Sequence, residues 1–275
     1  MTRIVCRQLA PRLTDLAANH GQIVRTIAEA TGSGADILVL PELATSGYVF
    51  QTEAEVDSCA LSATDPLLGQ WAEAVRGGSV VVCGFAERGE DGRFYNSAAV
   101  VDATGVLAVY RKAHLWDREK LFFTPGSAPP PIVPTVFGRI GVLICYDLEF
   151  PEYTRQVALG GADLIAVPTN WPYVERPEGE RAPEVLIAQA AARVNRLGIA
   201  CCDRSGTERG QKWTEGTSII DQDGWLVAAA GSGPEARADL DLTLARDKVI
   251  SPHNHLFEDR RTDLYRMSEP TENTV

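Results

Sequence analysis

Cys145 closes the apolar run Ile140-Gly141-Val142-Leu143-Ile144 and is followed at once by Tyr146-Asp147-Leu148-Glu149-Phe150-Pro151-Glu152. A thiol there suits nucleophilic chemistry once a base takes its proton. Two other short apolar runs end in complementary groups: residues 36–41 deliver Glu42, and residues 106–111 deliver Lys112. The carboxylate can accept the thiol proton and the ammonium can hold a developing negative oxygen, so the three form a complete set without a histidine. Each also has an ordinary reading taken singly: a buried core thiol, a solvated acid after a turn, and a surface lysine within the charged stretch 111–120. His114, two residues after Lys112, would share its face of a continuing strand and competes as a base for Cys145. Glu42 already fills that role. His253 and His255, with Glu258 and Asp259 nearby, have metal-ligand types but neither a thiolate pair nor helical histidine spacing, and a hydrogen-bonded loop is the better expectation. No G-x-S-x-G, H-E-x-x-H or phosphate-loop pattern occurs, so neither metal nor cofactor is expected.

These groups need elements that bring them together. The run 140–144 follows the turn-like Phe137-Gly138-Arg139 and reads as a buried strand, while Pro151 and Glu152 suit the first turn of a helix that runs on to Gly160 and Gly161. Cys145 should therefore sit where a strand feeds a helix, beside unpaired N–H groups that favour a thiolate. A helical stripe, Leu16, His20, Ile23, Ile27 and Ala30, follows Thr14 or Asp15 as cap. A second, residues 66–75, follows Asp65 with Leu68, Trp71 and Val75 on one face, and a third covers 184–197 after Pro183. Strands are expected over 79–87, 95–101, 106–112, 199–202, 217–221, 226–230 and 237–241, with Asp102-Ala103-Thr104-Gly105 joining two of them as a hairpin. Parallel-type units mixed with hairpins argue for an α/β chain with more than one sheet, each needing cover for its apolar face. Ligand sites in such sheets gather beyond the carboxyl ends of strands.

Three ordered segments carry a resemblance over nearly the whole chain: Leu40-Pro41-Glu42-Leu43 with Ser46-Gly47-Tyr48, then Tyr110-Arg111-Lys112-Ala113-His114-Leu115, then Gly141 through Glu152 around Cys145. Gly161-Ala162-Asp163-Leu164-Ile165 before Pro168-Thr169-Asn170-Trp171, and Gly216-Thr217-Ser218-Ile219-Ile220-Asp221 before Gly224, agree with it. The chain resembles the nitrilase superfamily of carbon-nitrogen hydrolases, and its wording is nearest the amidase-like branches. The resemblance implies a four-layer α-β-β-α sandwich over residues 1–275, a Glu42-Lys112-Cys145 triad, and Glu119 as a second glutamate beside it. It further implies pairing into a homodimer through helices near the nucleophile, with residues 251–275 as an extension reaching the partner. Glu149 stands where small-amidase relatives often carry arginine. The expected reaction is hydrolysis of a small carboxamide to acid and ammonia through a Cys145 thioester. The backbone N–H of Tyr146 assists Lys112, and Asn170 and Trp171 are candidates for the pocket, Trp171 being an even choice between wall and ordinary core. N-carbamoyl compounds or nitriles on the same triad, and a non-catalytic binding protein on the same scaffold, are the alternatives.

Composition narrows the classes. The 275 residues, 45% of them hydrophobic, can bury a large core, and the Pro-rich stretch 125–131 is short enough to be a surface loop rather than a linker. A net charge of −11 without an extended basic tract repels phosphate backbones, which excludes nucleic acid as a partner. The six cysteines, at positions 6, 59, 83, 145, 201 and 202, lack the spacing of a small disulfide scaffold. Cys201-Cys202 read as a core strand with one thiol on each face. No signal peptide or spanning segment is apparent, so a reduced cytoplasmic setting is expected, and residues 269–275 read as a frayed polar tail.

Overall fold

In chain order, β1 (Thr2–Arg7), α1 (Leu16–Gly32), β2 (Ile37–Val39), α2 (Glu53–Asp57), α3 (Pro66–Ala74), β3 (Val80–Arg88), β4 (Phe94–Asp102) and β5 (Gly105–Arg111) make up the first part of the computed structural model, which describes residues 1–231 and 233–265. The remainder begins with β6 (Ile132–Thr135), β7 (Gly138–Val142), a 3-10 turn over Cys145–Glu149, α4 (Pro151–Leu159), β8 (Leu164–Pro168), α5 (Pro183–Asn195) and β9 (Gly198–Cys202). It ends with the short pair β10 (Thr207–Glu208) and β11 (Gln211–Lys212), then β12 (Ser218–Ile220), β13 (Leu226–Ala229), β14 (Glu235–Leu240), β15 (Val249–Ser251) and β16 (Asn254–His255). Residues 266–275, and with them the expected polar tail and most of the last stretch of the expected extension, lie outside the described residues.

Two six-stranded sheets result, ordered β14-β1-β2-β3-β4-β5 and β13-β12-β9-β8-β7-β6. At the centre of each the strands are parallel, β1 with β2 and β3 in one and β7 with β8 and β9 in the other. Antiparallel hairpins close the outer edges, including the β4-β5 pair turning between Asp102 and Gly105.

Side-chain alternation along β1 to β4 explains the layering. Ile4, Cys6, Ile37, Val39, Val82, Ala98 and Val100 face the other sheet, where they meet Ile140, Val142, Leu164 and Ala166. Their neighbours Val5, Leu38, Val81, Cys83, Ala99 and Val101 face outward onto Ile23 and Ile27 of α1 and Leu68 and Trp71 of α3. On the far side, Val157 and Ala158 of α4 and Val185 and Ala188 of α5 cover the second sheet, completing an α-β-β-α sandwich. Each fully buried aliphatic side chain stabilises this arrangement by about 1.5–3 kcal/mol. The helix stops and starts follow their caps: Asp15 accepts from the Ala18 N–H at 3.1 Å and Asp65 from the Leu67 N–H at 2.9 Å.

The carboxyl ends of the central strands converge. Glu42 follows β2, Cys145 follows β7, Asn170 follows β8 and Asp203 follows β9, while Lys112 leaves the end of β5 from the hairpin side.

Candidate active site

Lys112 lies fully buried between two carboxylates, with Nζ donating to Glu42 Oε1 at 2.7 Å and to Glu119 Oε1 at 2.8 Å. Burial alone would disfavour the ammonium. The Glu119 and Glu42 charges outweigh it and hold the Lys112 pKa well above its ordinary value. Glu42 Oε1 also accepts from Asn96 Nδ2 at 2.7 Å, whereas its Oε2 is buried with no hydrogen-bond partner among the described residues. A buried carboxylate oxygen left with free lone pairs beside a thiol is the acceptor a nucleophile requires. Glu119 Oε1 further accepts from the Tyr48 hydroxyl at 2.5 Å, and its Oε2 accepts from the Trp116 N–H at 3.2 Å. Burial, opposed by the Lys112 ammonium and reinforced by the Glu42 charge, pushes the Glu119 carboxyl up to about 7.

Cys145 opens the 3-10 turn in a left-handed conformation, φ 48°, which a non-glycine residue adopts only where its surroundings hold it there. Leu43, next to Glu42, does the same at φ 47°. The thiol is buried beside Glu42, Lys112 and Glu119, and the backbone N–H of Asn170 reaches it. The junction differs from the sequence expectation in two ways. The helix α4 begins at Pro151 as expected, but a 3-10 turn over Cys145–Glu149 intervenes, so the strand does not feed that helix directly at the thiol. Burial, then the negative charge of Glu42, raises the Cys145 pKa well above its ordinary value despite Lys112, and the resting group is a thiol rather than a thiolate.

Close backbone approach sets the two charged elements. A Cβ on Gly84 of β3 would lie 2.6 Å from both the Glu42 Cα and the Leu43 N, so only glycine lets the Glu42 segment cross β3 there. At Gly126, which donates to the Lys112 carbonyl at 2.8 Å, a Cβ would sit 2.2 Å from the Arg111 carbonyl oxygen.

The remaining sequence candidates fall out as follows. Tyr146 packs its ring edge-on to Trp116, 4.9 Å between centroids. Asn170 turns its side chain away from the cavity described below, donating to the Glu42 carbonyl at 2.9 Å. Trp171 does not line that cavity: Asp203 takes its N–H at 2.9 Å, and its ring is buried in the core near Gly216. His114 Nδ1 meets Asp147 Oδ1 at 2.7 Å and its ring stacks on Phe150 at 3.7 Å, while the charged groups acting on the Cys145 thiol are Glu42, Lys112 and Glu119. His255 Nδ1 accepts from the Phe257 and Glu258 N–H groups, the hydrogen-bonded loop anticipated for it.

A cavity of about 110 Å³ opens against Glu119, walled by Tyr48, Phe50, Trp116, Phe122, Phe123 and Trp213 with Pro172 and Gln211. Of the four residues of the proposed catalytic set, Glu119 lines it, and Glu42, Lys112 and Cys145 do not. Behind it, Glu208 Oε1 accepts from the Tyr48 N–H at 2.8 Å, and its Oε2 meets Arg204 Nη1 at 2.9 Å in a buried pair that holds the Tyr48 loop. Arg204 in turn lies over the Trp213 ring at 4.6 Å. Asp203 Oδ1 and Oδ2 gather the Trp171, Arg204 and Gly216 N–H groups, each at 2.9 Å, and burial, opposed by those donors, pushes its carboxyl up to about 7. Asn96, Tyr48, Asp147, Asp203 and Trp213 are the contributors that residue patterns did not single out as site residues. Asp203 carries the same signal as Glu42, an acid just past an apolar strand, and Asn96 is an amide among the apolar residues of β4.

A buried acid, ammonium and thiol at converging strand ends of an α-β-β-α sandwich define a class of hydrolase acting on carbon-nitrogen bonds. The chain belongs to the carbon-nitrogen hydrolase family of the nitrilase superfamily, whose family model matches residues 3–248. It is 37% identical to a nitrilase from Pyrococcus abyssi, covering 96% of this chain and 99% of that one. It is 32% identical to the N-carbamoylputrescine amidase of Arabidopsis thaliana, covering 92% and 90%. Among solved structures it is similar to a variant of the amidase from Nesterenkonia sp. AN1 caught with acrylamide added at the active site cysteine. The TM-score is 0.78 at 28% identity, with 97% of this chain and 99% of that one covered.

Proposed function

We propose that the protein hydrolyses small linear carboxamides to the acid and ammonia through a thioester on Cys145. The observation that carries this reading is the unpartnered, buried Oε2 of Glu42 beside the protonated thiol, in a carboxylate whose other oxygen is held by Lys112. As the sulfur attacks the carbonyl carbon, Glu42 takes the thiol proton. The Lys112 ammonium and the Tyr146 N–H hold the tetrahedral oxyanion. Glu42 then gives its proton to the departing nitrogen, the C–N bond breaks, and ammonia leaves a thioester. Water, deprotonated by Glu42, attacks the thioester carbon, the C–S bond breaks, and the acid leaves with the thiol restored. Glu119 supports Lys112 and orients the amide nitrogen, while Asn170 ties its loop to the Glu42 carbonyl through its side chain and to the thiol through its N–H, and Trp171 anchors that loop on Asp203.

A second reading, hydrolysis of an N-carbamoyl compound on the same groups, is favoured by the similarity to N-carbamoylputrescine amidase. A nitrile would be attacked by the same thiol, in keeping with the similarity to a nitrilase. Wild type and Cys145→Ala incubated with short amides, nitriles and carbamoyl amino acids separate these readings. Ammonia alone from amides supports the first, ammonia with carbon dioxide the second, equal turnover by both proteins overturns the thiol-dependent account, and no turnover by either favours a binding protein.

The expected setting is the cytoplasm, with all six cysteines free thiols and no helix among the described residues long and apolar enough to cross a membrane. Pairing into a homodimer through α4 and α5 is supported by Leu186, Ala190 and Val194, exposed at helical spacing on one face of α5. Sedimentation of wild type and Leu186→Lys tests this: a dimer that the substitution dissociates supports it, and a monomeric wild type overturns it.

A further inference from the structure

Asp147 lies two residues beyond Cys145 and is fully buried, and its carboxylate receives four donors. Oδ1 accepts from the His114 backbone N–H at 3.0 Å and from His114 Nδ1 at 2.7 Å. Oδ2 accepts from the Tyr110 hydroxyl at 2.8 Å and from the Ile144 N–H at 3.1 Å. An ionised carboxylate only accepts, so Nδ1 carries a proton in this arrangement.

The donors come from two places that matter for one distance. Tyr110 and His114 stand two residues on either side of Lys112, on the segment that leaves β5. Ile144 immediately precedes Cys145, and its carbonyl accepts from the Asp147 N–H at 3.0 Å, so Asp147 closes the turn that holds Cys145 at φ 48°. One side chain thus bolts the nucleophile turn to the ammonium-bearing segment. His114 is clamped in turn by Phe150, stacked at 3.7 Å, and by Tyr153, edge-on at 4.9 Å, while the Tyr110 and Tyr153 hydroxyls lie 3.3 Å apart. Tyr48, Phe122 and Trp213, which wall the cavity against Glu119, belong to other segments.

We propose that Asp147, acting through His114 and Tyr110, is a positioning residue that fixes the Cys145 thiol relative to the Lys112 ammonium. Deleting one of its donors or its charge lets the two segments separate. A misplacement of about 1 Å at a reacting group costs on the order of 100-fold in rate. The proposal rests on the thiol-dependent hydrolysis proposed above.

The test compares wild type, Asp147→Asn, Tyr110→Phe and the double variant in steady-state turnover of a short amide and in the rate of alkylation by iodoacetamide, with Cys145→Ala as background for the other thiols. Asp147→Asn is expected to lower kcat about 10- to 100-fold with KM within about twofold, and to slow alkylation by a similar factor. Tyr110→Phe moves both in the same direction by less, and the double variant is no worse than Asp147→Asn alone because the two act through one contact. Folded variants with kcat and alkylation rates within about twofold of wild type overturn the proposal, as does a loss confined to KM. Should Asp147→Asn fail to fold, Tyr110→Phe decides on the same criteria. A wild type that is alkylated at Cys145 yet turns over no amide refutes the proposed reaction, while the alkylation series still judges the role of Asp147.

Discussion

The central residue is Lys112, because its ammonium is the shared hydrogen-bond partner of two buried carboxyl groups, Glu42 and Glu119. Removing one partner from a buried ionic group costs about 3–5 kcal/mol, since the charges left behind have no water to turn to. Lys112→Met should therefore lower the unfolding free energy by about that much and the turnover by about 100- to 1,000-fold, measured by urea titration and steady-state kinetics. Unchanged stability would show that the three side chains are not coupled. The raised pKa of Cys145 predicts a second outcome: the thiolate absorbance of wild type minus Cys145→Ala is absent at neutral pH and emerges only well into the alkaline range. A thiolate signal at neutral pH would contradict the need for Glu42 as base. At this scale the triad residues were legible because each is a chemically distinct group ending an apolar run. Their hydrogen-bonding partners were not, because Asn96, Tyr48 and Asp203 acquire their roles only when separate strands converge.

Elements place those residues through contacts that residue types do not advertise. The caps at Asp15 and Asp65, the hairpin at Asp102 to Gly105 and the strand periodicity are local, and they read directly from the chain. The 3-10 turn at Cys145–Glu149 did not, because Pro151 and Glu152 mark where a helix starts without revealing the backbone conformation of the residues that precede it. Gly84 is another contact visible only in three dimensions, since its lack of a Cβ matters through Glu42 on a different strand. Gly84→Ala should displace Glu42 and cut kcat by on the order of 100-fold, while far-ultraviolet circular dichroism stays that of a folded α/β chain. Wild-type kcat in a folded Gly84→Ala protein would show that β2 and β3 do not set the position of the base.

For the whole molecule, the sequence pattern implied an α/β chain with more than one sheet, each needing a cover, and only the resemblance implied four layers. Periodicity tells which face of a strand is buried but not which partner buries it, and here both faces of β1 to β4 are apolar and meet different layers. Burying acids at the convergence of those layers has a global consequence. Glu119 and Asp203 keep their protons up to about 7 when folded, but release them near 4.5 and 3.8 when unfolded. The folded state therefore binds more protons between those limits. Their contribution to stability is fully present below the unfolded values and is lost as pH rises through about 7. Urea midpoints measured at about pH 5 and about pH 8 should show this decline, and Glu119→Gln should lessen it. A Glu119→Gln protein with the wild-type pH dependence would mean that Glu119 is ionised throughout.

Intact-mass analysis of the protein quenched during turnover of a short amide tests the covalent claim most directly. The account predicts an adduct equal to the amide less ammonia, mapped to Cys145 and absent from Cys145→Ala. Turnover with no adduct on Cys145, and with undiminished rate in Cys145→Ala, would contradict it.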